Sequence, residues 1–367
     1  MSGRTVSRRG ALARLGAAGV GAAGLSAPAL AQQAGRALSL ATAFGPQRDA
    51  IHRPLVQFAE DVRTLTAEQL KLAEPTNVQA SGPAIKAVME GTLDFAIAEG
   101  AAAIDTSPVF ALAGGAPFGL NTRLHSAWLY ESGGLGLLNA ALAEFGVVAI
   151  PIAATGAQMG GWFRDEIKTA DELKDKPIAI SGLGARVFEK LGAKPTPIDS
   201  GEIGDALRSG TIAGAVYGLP YDDEALRLYQ AAEFLMYPGW WNGAGQIYLF
   251  ANKARFEKLS DAERSAIELA AANCNRAVLA RYDVQNATAL KRAVASGTRL
   301  LPMSEAFLDQ CFAASNETLA EIGAKDSKFK EVHESMLRVR RDGYLWFQLS
   351  ENTFDTYLMI QQRKQKL

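Results

Sequence analysis

The stretch TIAGAVYGLPYDD at 211–223 has a counterpart more than a hundred residues earlier, TLDFAIAEG at 92–100. Each apolar run follows a short stretch of helical character that closes in Gly-Thr, AIKAVMEGT in the first case and EIGDALRSGT in the second. Strands that are buried on both faces of a parallel sheet read as near-continuous apolar runs of this kind. The repeated helix–turn–strand phrase therefore predicts two similar α/β lobes.

The elements around the two phrases follow the order of parallel-sheet units. A strand–helix–strand–helix–strand pattern runs from Leu38 to Ala98, and a second α/β run begins near residue 156. Residues 260–297 form one helical stretch without proline. At 1.5 Å per residue this helix would be about 55 Å long, which is more than one lobe needs. We predict an α/β fold with two lobes and a long helix that spans both.

The predicted organisation has four parts. Residues 1–31 are an export signal, and lobe I covers 36–155 with a return segment at 250–330. Lobe II covers 156–249, and residues 331–367 form a C-terminal helical extension. Because no low-complexity linker interrupts the chain, we expect strands to join the lobes.

The first 31 residues have the features of an export signal. They carry four arginines and no acidic residue, followed by an apolar Ala/Gly-rich run and the small-residue cleavage site Ala29-Leu30-Ala31. The sequence Ser7-Arg8-Arg9 favours the twin-arginine route. Without the four arginines, 34 basic residues remain against 39 acidic ones. We expect a soluble, acidic protein in the periplasm.

Several functional classes lack their usual signatures. The net charge is −1 and no basic stripe is present, so we expect no nucleic-acid partner. The three histidines lie on predicted helices without metal-ligand neighbours, and HExxH, CxxC and G-x-S-x-G are all missing. GLGAR at 182–186 begins like a dinucleotide fingerprint, but Val187 replaces its third glycine. We therefore predict no catalytic residue, no cofactor and no metal. Cys274 and Cys311 are expected to be buried thiols, with a single bridge between them as the alternative.

Three glycine-containing stretches combine polar and aromatic residues beside predicted strand ends, as ligand sites do. They are GAQMGGWFRDEI (156–167), AVYGLPYDDEA (215–225) and YPGWWNGAGQ (237–246). For Trp240 or Trp241 taken alone, packing in the core explains the residue equally well. For Arg164, a surface ion pair is the alternative. The candidate ligand-binding residues are Gln158, Arg164, Tyr217, Trp240, Trp241, Asn242, Gln246 and Phe44.

Five motifs in order resemble the solute-binding subunits of TRAP transporters, the tripartite ATP-independent periplasmic carriers. They are PFGLNTRLHSAWLY (117–130), GAQMGGWFRDEI, GLGARVFEKLGA (182–193), the 201–223 stretch ending in PYDD, and YPGWW (237–241). The resemblance extends from about Leu38 to Gln362 and is nearest to the branch that binds 2-oxo acids. It implies the periplasmic-binding-protein fold, a small-molecule solute in the cleft, and TRAP membrane subunits as partners. In that branch a C-terminal helix exchanges between subunits, which implies a possible homodimer through the C-terminal extension.

The residues of the family's site carry over only in part. Gln158 and Trp240 match, but Ala179 stands where most members have an arginine that clamps the ligand carboxylate. Val216 and Asn242 stand where relatives have glutamates that help to hold sodium or calcium. An aromatic cluster of relatives is replaced by the run 100–103, Gly-Ala-Ala-Ala.

The losses compensate one another in charge, because removing the arginine and both glutamates together leaves no unpaired buried charge. We therefore hypothesise a ligand that is larger, more apolar or less anionic than pyruvate, bound without a metal ion. Arg164 or the N–H groups at 182–184 could still hold an anion. Two other functions stay open, a sensor or scavenger that has lost transport and, less favoured, an exported enzyme.

Overall fold

The computed structural model describes residues 36–73, 76–78 and 80–364, so the predicted export signal lies outside the described residues. Thirteen strands occur in the described part of the chain. They are β1 (Arg36–Leu38), β2 (Leu40–Thr42), β3 (Leu70–Leu72), β4 (Thr76–Asn77), β5 (Phe95–Ala98), β6 (Val147–Ala154), β7 (Gly161–Phe163), β8 (Pro177–Ala179), β9 (Lys194–Pro195), β10 (Gly214–Ala215), β11 (Phe234–Tyr237), β12 (Gln246–Asn252) and β13 (Arg299–Pro302).

Thirteen α-helices occur in the same described ranges. They are α1 (Asp49–Leu65), α2 (Ser81–Met89), α3 (Pro108–Gly114), α4 (Thr122–Glu131), α5 (Gly134–Leu142), α6 (Gly182–Lys190), α7 (Ile203–Ser209), α8 (Pro220–Ala225), α9 (Lys253–Phe256), α10 (Asp261–Ala295), α11 (Glu305–Lys325), α12 (Ser327–Leu349) and α13 (Glu351–Arg363). The fold is mixed α/β with two lobes, as predicted.

The first lobe contains a five-stranded sheet in the order β4-β2-β5-β12-β6. β4, β2 and β5 run parallel, and β12 runs antiparallel to both of its neighbours. All four residues of β5 are buried because helices cover both faces of the sheet. One face packs on α1 and α10, and the other on α2, α3 and α5. The apolar run TLDFAIAEG therefore forms a central strand, as its composition predicts.

The second lobe contains a six-stranded sheet in the order β13-β11-β7-β10-β8-β9. β10 is the strand within the 211–223 stretch, and it pairs with β7 and β8. One core of this lobe includes residues of α6 and α11, and the other includes residues of α7 and the end of α10. The two phrases that repeat in the sequence thus give one inner strand to each sheet.

The long helix α10 has 35 residues, a length of about 52 Å at 1.5 Å per residue. Ser260 and Glu263 form a capping box at its start, where each side chain accepts a hydrogen bond from the backbone N–H of the other residue. Ile267 and Val278 pack in the core of the first lobe, and Ala293 packs in the second. The helix spans both lobes, as the sequence predicts.

Two strands correct the predicted lobe boundaries. β12 begins at Gln246 and belongs to the first sheet, whereas the sequence pattern places 246–249 in lobe II. β13 pairs in parallel with β11 of the second sheet, whereas the sequence pattern places 299–302 in the return segment of lobe I. The cause is α10, which carries the chain from the first lobe to the second before β13 begins. The chain then comes back, since Phe329 and Val332 of α12 pack in the first lobe.

Cys274 and Cys311 are buried and free, as predicted. Within the described ranges, none of the helices combines the length and apolar character that crossing a bilayer requires.

Candidate functional site

Two segments carry the chain between the sheets and form the floor of the interlobe cleft. Residues 155–160 connect β6 to β7, and residues 238–245 connect β11 to β12. The segments are hydrogen-bonded to each other, because the Gly239 N–H donates to the Gln158 carbonyl at 3.0 Å and the Gln158 N–H donates to the Asn242 carbonyl at 3.4 Å. Polar and aromatic side chains on both segments are thereby held at the boundary between the lobes.

An inner cavity of about 100 Å³ lies above this floor. The first lobe contributes the wall around Glu99 and Thr155, and the second contributes the start of α6 and the residues after β10. Gly182, at the start of α6, has a φ of +65°, and a Cβ there would lie 2.9 Å from the Ala101 Cβ of the opposite lobe. Only glycine allows both this conformation and this approach.

A larger outer cavity of about 790 Å³ lies next to the inner one and is also lined from both lobes. The two cavities share five lining residues: Glu99, Ile180, Ser181, Val216 and Tyr217. Glu99 directly follows β5, and Val216 and Tyr217 directly follow β10. The residues that follow β5 and β10, the strands of the two similar sequence stretches, therefore line the same cleft, one set from each lobe.

Four of the predicted site residues line the inner cavity: Gln158, Tyr217, Trp241 and Asn242. The Trp241 indole N–H donates to the Gln158 side-chain oxygen at 2.9 Å. The Asn242 side-chain oxygen accepts hydrogen bonds from the backbone N–H groups of Ala244 and Gly245, at 3.1 and 2.8 Å. Its amide NH2 is the group that remains for a ligand. Phe44 lines the outer cavity, as does Tyr217.

Three predicted residues lie elsewhere. Trp240 is buried in the second lobe, stacked on Phe118 with ring centroids 5.5 Å apart. Gln246 is 3% exposed, and its side-chain NH2 donates to the carbonyls of Ala153 and Ile247 at 2.8 and 2.9 Å, so it satisfies the backbone. Arg164 is exposed after β7, and its guanidinium lies against Gly210. The structure brings none of the three to the walls of the two cleft cavities.

Positions 216 and 242, where the family resemblance implies metal-holding glutamates, carry no carboxylate in this chain. Val216 has no donor atom in its side chain, and the Asn242 oxygen already accepts two backbone hydrogen bonds. No cluster of three or more His, Cys, Asp or Glu side chains suited to a metal ion occurs among the described residues. Calcium and sodium prefer several oxygen ligands, including carboxylates. The residues at these positions do not fit such an ion.

Arg48, which sequence reasoning missed, links the cleft to the core. It precedes α1, its side chain is only 10% exposed, and its guanidinium lies over the Phe44 and Tyr217 rings at 5.0 and 5.6 Å. One of its NH2 groups donates to Asp222 at 3.1 Å, and the other lies 3.4 Å from Glu99. Burial works to lower the pKa of Arg48, but these carboxylates outweigh it and hold the pKa above its ordinary value.

Two neighbouring aspartates of α8 lie behind the cleft. Asp222 also accepts a hydrogen bond from the Tyr282 hydroxyl of α10, at 2.8 Å. Asp223 accepts hydrogen bonds from the Trp162 indole N–H at 2.8 Å and from the Gly218 N–H at 3.2 Å. Burial raises the pKa of Asp223 to about 7, because the charged form is desolvated. The PYDD motif thus builds a buried polar network and contributes no side chain to the cavity walls.

A cavity lined from two α/β lobes, with one long helix packed on both, is the arrangement expected of a solute-binding protein of the periplasmic type. The family model of the bacterial extracellular solute-binding proteins, family 7 (DctP), matches residues 41–326. The chain belongs to this family and is the solute-binding component of a TRAP-type system.

The similar proteins agree with this assignment. A monocarboxylate 2-oxoacid-binding periplasmic protein of Nostoc sp. strain PCC 7120 is 36% identical over 273 residues, which are 74% of this chain and 75% of the relative. A TRAP solute-binding protein from Bordetella bronchiseptica RB50, solved as a mixed-occupancy dimer with copurified calcium and picolinate in one site, is 29% identical. It matches with a TM-score of 0.85 over 90% of this chain and 99% of its own.

A third similar protein supports the fold alone. The TRAP periplasmic solute-binding protein from Pseudoalteromonas atlantica T6c, solved with sodium and pyruvate, is 22% identical. It matches with a TM-score of 0.83 over 87% of this chain and 98% of its own. The resemblance read from the five sequence motifs is confirmed by these findings.

Proposed function

We propose that this protein captures a small organic solute in the interlobe cavity, in the periplasm, and delivers it to the membrane subunits of a TRAP transporter. The observation that carries the proposal is the inner cavity, which is lined by both lobes and by the two segments that connect the sheets, 155–160 and 238–245. The signal features of residues 1–31, with Arg8 and Arg9 in a twin-arginine context, support export.

The proposal includes no catalytic role. The inner cavity contains one carboxylate, Glu99, and no histidine, cysteine or lysine among the described residues that line it. A general base needs a partner that orients or replenishes it, and a covalent mechanism needs an activated nucleophile. Most of the wall is glycine and aliphatic side chain, and the amide, hydroxyl and aromatic groups among them are suited to binding.

The proposed ligand is less anionic than pyruvate and is bound without a metal ion. Ala179 is buried in β8 beside the outer cavity, where it offers a methyl group in place of an arginine fork. Val216 and Asn242 supply no carboxylate at the two positions where the resemblance implies glutamates that hold the ion. The inner cavity alone has room for only a few water-sized groups. A solute larger than pyruvate would extend past Tyr217 into the outer cavity.

A thermal-shift comparison tests the proposed function. With the mature chain, pyruvate at 1 mM in buffers containing sodium or calcium is expected to leave the melting temperature unchanged. A solute identified by native mass spectrometry of the purified protein is expected to raise the melting temperature. At a hundredfold excess over its dissociation constant, it should add about 2.7 kcal/mol to the free energy of unfolding. Tight binding of pyruvate that requires either metal would contradict the proposed ligand class.

We also propose a homodimer formed through the C-terminal helices. α13 buries none of its residues in the single chain. Large apolar side chains of α13 and the end of α12 are exposed: Leu345, Trp346, Leu349, Phe354, Tyr357, Met359 and Ile360. A contiguous apolar surface of this kind marks an interface. The dimer in which the Bordetella protein was solved supports this.

Removing α13 is expected to convert a dimer into a monomer. The mature chain should show twice the monomer mass in size-exclusion chromatography with light scattering, and a chain ending at Ser350 should show one monomer mass. Because α13 contributes no buried residue to its own chain, the helical circular dichroism per residue should stay nearly constant. A monomeric mature chain, or a dimer that survives the truncation, would show that the helices serve another purpose.

A further inference from the structure

Glu99 lies in the wall of the inner cavity. Of the described residues that line the inner cavity, it alone carries a formal charge at neutral pH. It follows the buried strand β5 directly, and its backbone N–H donates to the Ser81 hydroxyl at 3.3 Å, which fixes the start of the turn. Its side chain is 46% exposed, so the carboxylate faces the cavity space and is not enclosed by protein.

The nearest cation does not neutralise Glu99 fully. The Arg48 Nη1 atom lies 3.4 Å from the Glu99 Oε1 atom, and the Arg48 Nη2 atom lies 3.1 Å from the Asp222 Oδ2 atom. The Asp222 side chain is only 1% exposed. A buried carboxylate depends on its cation far more than an exposed one, because water cannot solvate it. One guanidinium therefore serves two carboxylates, with the buried Asp222 as the principal partner. About one negative charge is left at the cavity.

The outer cavity adds to this negative charge. Asp199 and Glu202 line it from the second lobe, and both are exposed. Arg48 is the only lysine or arginine among the described residues that line either cavity. Clefts lined by one sign of charge concentrate ligands of the opposite sign. A carboxylate ligand entering here would meet repulsion and no free cation.

We propose that the ligand carries a positively charged nitrogen and that Glu99 is its counter-ion in the closed cleft. This inference deepens the proposed function and rests on it. Trp241 and Tyr217 share the cavity wall with Glu99, and aromatic faces attract ammonium groups. The polar remainder of the ligand meets the NH2 of Asn242 and the hydroxyls of Thr155 and Ser181. Glu99 is thus a specificity determinant, in a cleft whose family arginine has been replaced by Ala179.

The test compares amines with uncharged molecules of the same shape. Calorimetric titrations of the mature protein would use choline against 3,3-dimethyl-1-butanol, 1,4-diaminobutane against 1,4-butanediol, and ethanolamine against ethylene glycol. At least one amine is expected to bind ten times more tightly than its uncharged partner. In Glu99→Gln, which keeps the size and removes the charge, that preference should fall to less than threefold. Glu99→Asp should keep most of it.

The control is Glu233→Gln, which removes a carboxylate paired with Arg299 just before the start of β11. It is expected to leave both affinities unchanged. Circular dichroism and melting curves of each variant establish that it is folded. If no amine of the panel outcompetes its uncharged partner, or if Glu99→Gln retains the preference, the inference is overturned. The proposed function survives that result if native mass spectrometry finds an uncharged or anionic solute in the cleft, and fails if the purified protein binds no solute at all.

Discussion

Replacing Arg48 by methionine is expected to lower the free energy of unfolding by about 3–5 kcal/mol. Asp222 is 2% exposed, and the substitution would leave its carboxylate buried with only the Tyr282 hydroxyl as a partner. Methionine has an unbranched stem of similar length but loses the guanidinium contacts over the Phe44 and Tyr217 rings. Most of the lost stability would still come from the unpaired charge, because a cation–π contact contributes less than a buried ion pair. Urea denaturation at pH 7, followed by circular dichroism, measures the effect.

Two further variants separate charge from packing in this prediction. Arg48→Met combined with Asp222→Asn is expected to recover most of the lost stability, because no buried charge remains and the asparagine oxygen can still accept from Tyr282. Arg53→Met removes an arginine of the following helix, α1, that is 72% exposed and paired with Asp49, and it should cost less than about 1 kcal/mol. Equal losses for Arg48→Met and the double variant would show that Asp222 does not depend on the arginine.

The architecture could be predicted because long-range pattern and local physics agree in this chain. The buried strand β5 is a continuous apolar run, and α10 lacks proline over its full length and begins at a capping box. The lobe boundaries were harder to predict. β13 is only four residues long, and which sheet it joins depends on where α10 leaves it in space, which no local pattern reports.

The candidate site was predictable at the level of segments but not of individual side chains. Trp240 and Trp241 are neighbours on one glycine-rich loop, yet one packs on Phe118 and the other lines the cavity. The direction of each indole depends on the packing of the second lobe, which the sequence does not display. Gln246 is a polar residue at the start of a strand, which suggests a ligand contact. Its side-chain NH2 instead donates to two backbone carbonyls.

Two important residues were missed for different reasons. Arg48 stands between a strand and a helix in an ordinary context, GPQRDA, and its partner Asp222 is 174 residues away. No sequence signal connects the two. Glu99 did have a signal, because it is a charged residue placed directly after a fully buried strand. Ligands of open α/β sheets bind beyond such carboxyl ends, so the position of Glu99 in the sequence indicates a cleft residue.

Asp223 is expected to make the protein less stable as the pH rises from about 4 to 7. Burial raises its pKa in the folded state from 3.8 to about 7, while the unfolded chain keeps the ordinary value. Between these values the folded state holds a proton that the unfolded state has released. The free energy of unfolding therefore falls with rising pH, by 1.36 kcal/mol per unit, which amounts to about 4 kcal/mol over the window.

The substitution Asp223→Asn removes this titration and identifies its source. Asparagine fits the same space but its oxygen accepts only one of the two hydrogen bonds, from Trp162 or from Gly218. The variant therefore loses a constant amount of unfolding free energy, which does not change with pH. Subtracting the unfolding free energy of the variant from that of the wild type, in urea at pH 4.5, 5.5, 6.5 and 7.5, isolates the contribution of Asp223. Asp94 and Asp49, whose pKa values ion pairs and hydrogen bonds hold below the ordinary value, contribute the opposite slope and cancel in the difference.

The difference should decline steadily across this series and flatten above pH 7, where Asp223 is ionised in both states. Asp199→Asn, an exposed aspartate on the rim of the outer cavity, is the matched control and should show no such decline. A flat difference for Asp223→Asn would mean that the Trp162 and Gly218 hydrogen bonds, together with Arg48, keep the carboxylate charged despite its burial. In that case the buried network behind the cleft would hold two aspartate charges against one arginine, and Arg48→Met would be expected to cost more than the 3–5 kcal/mol of a single broken pair.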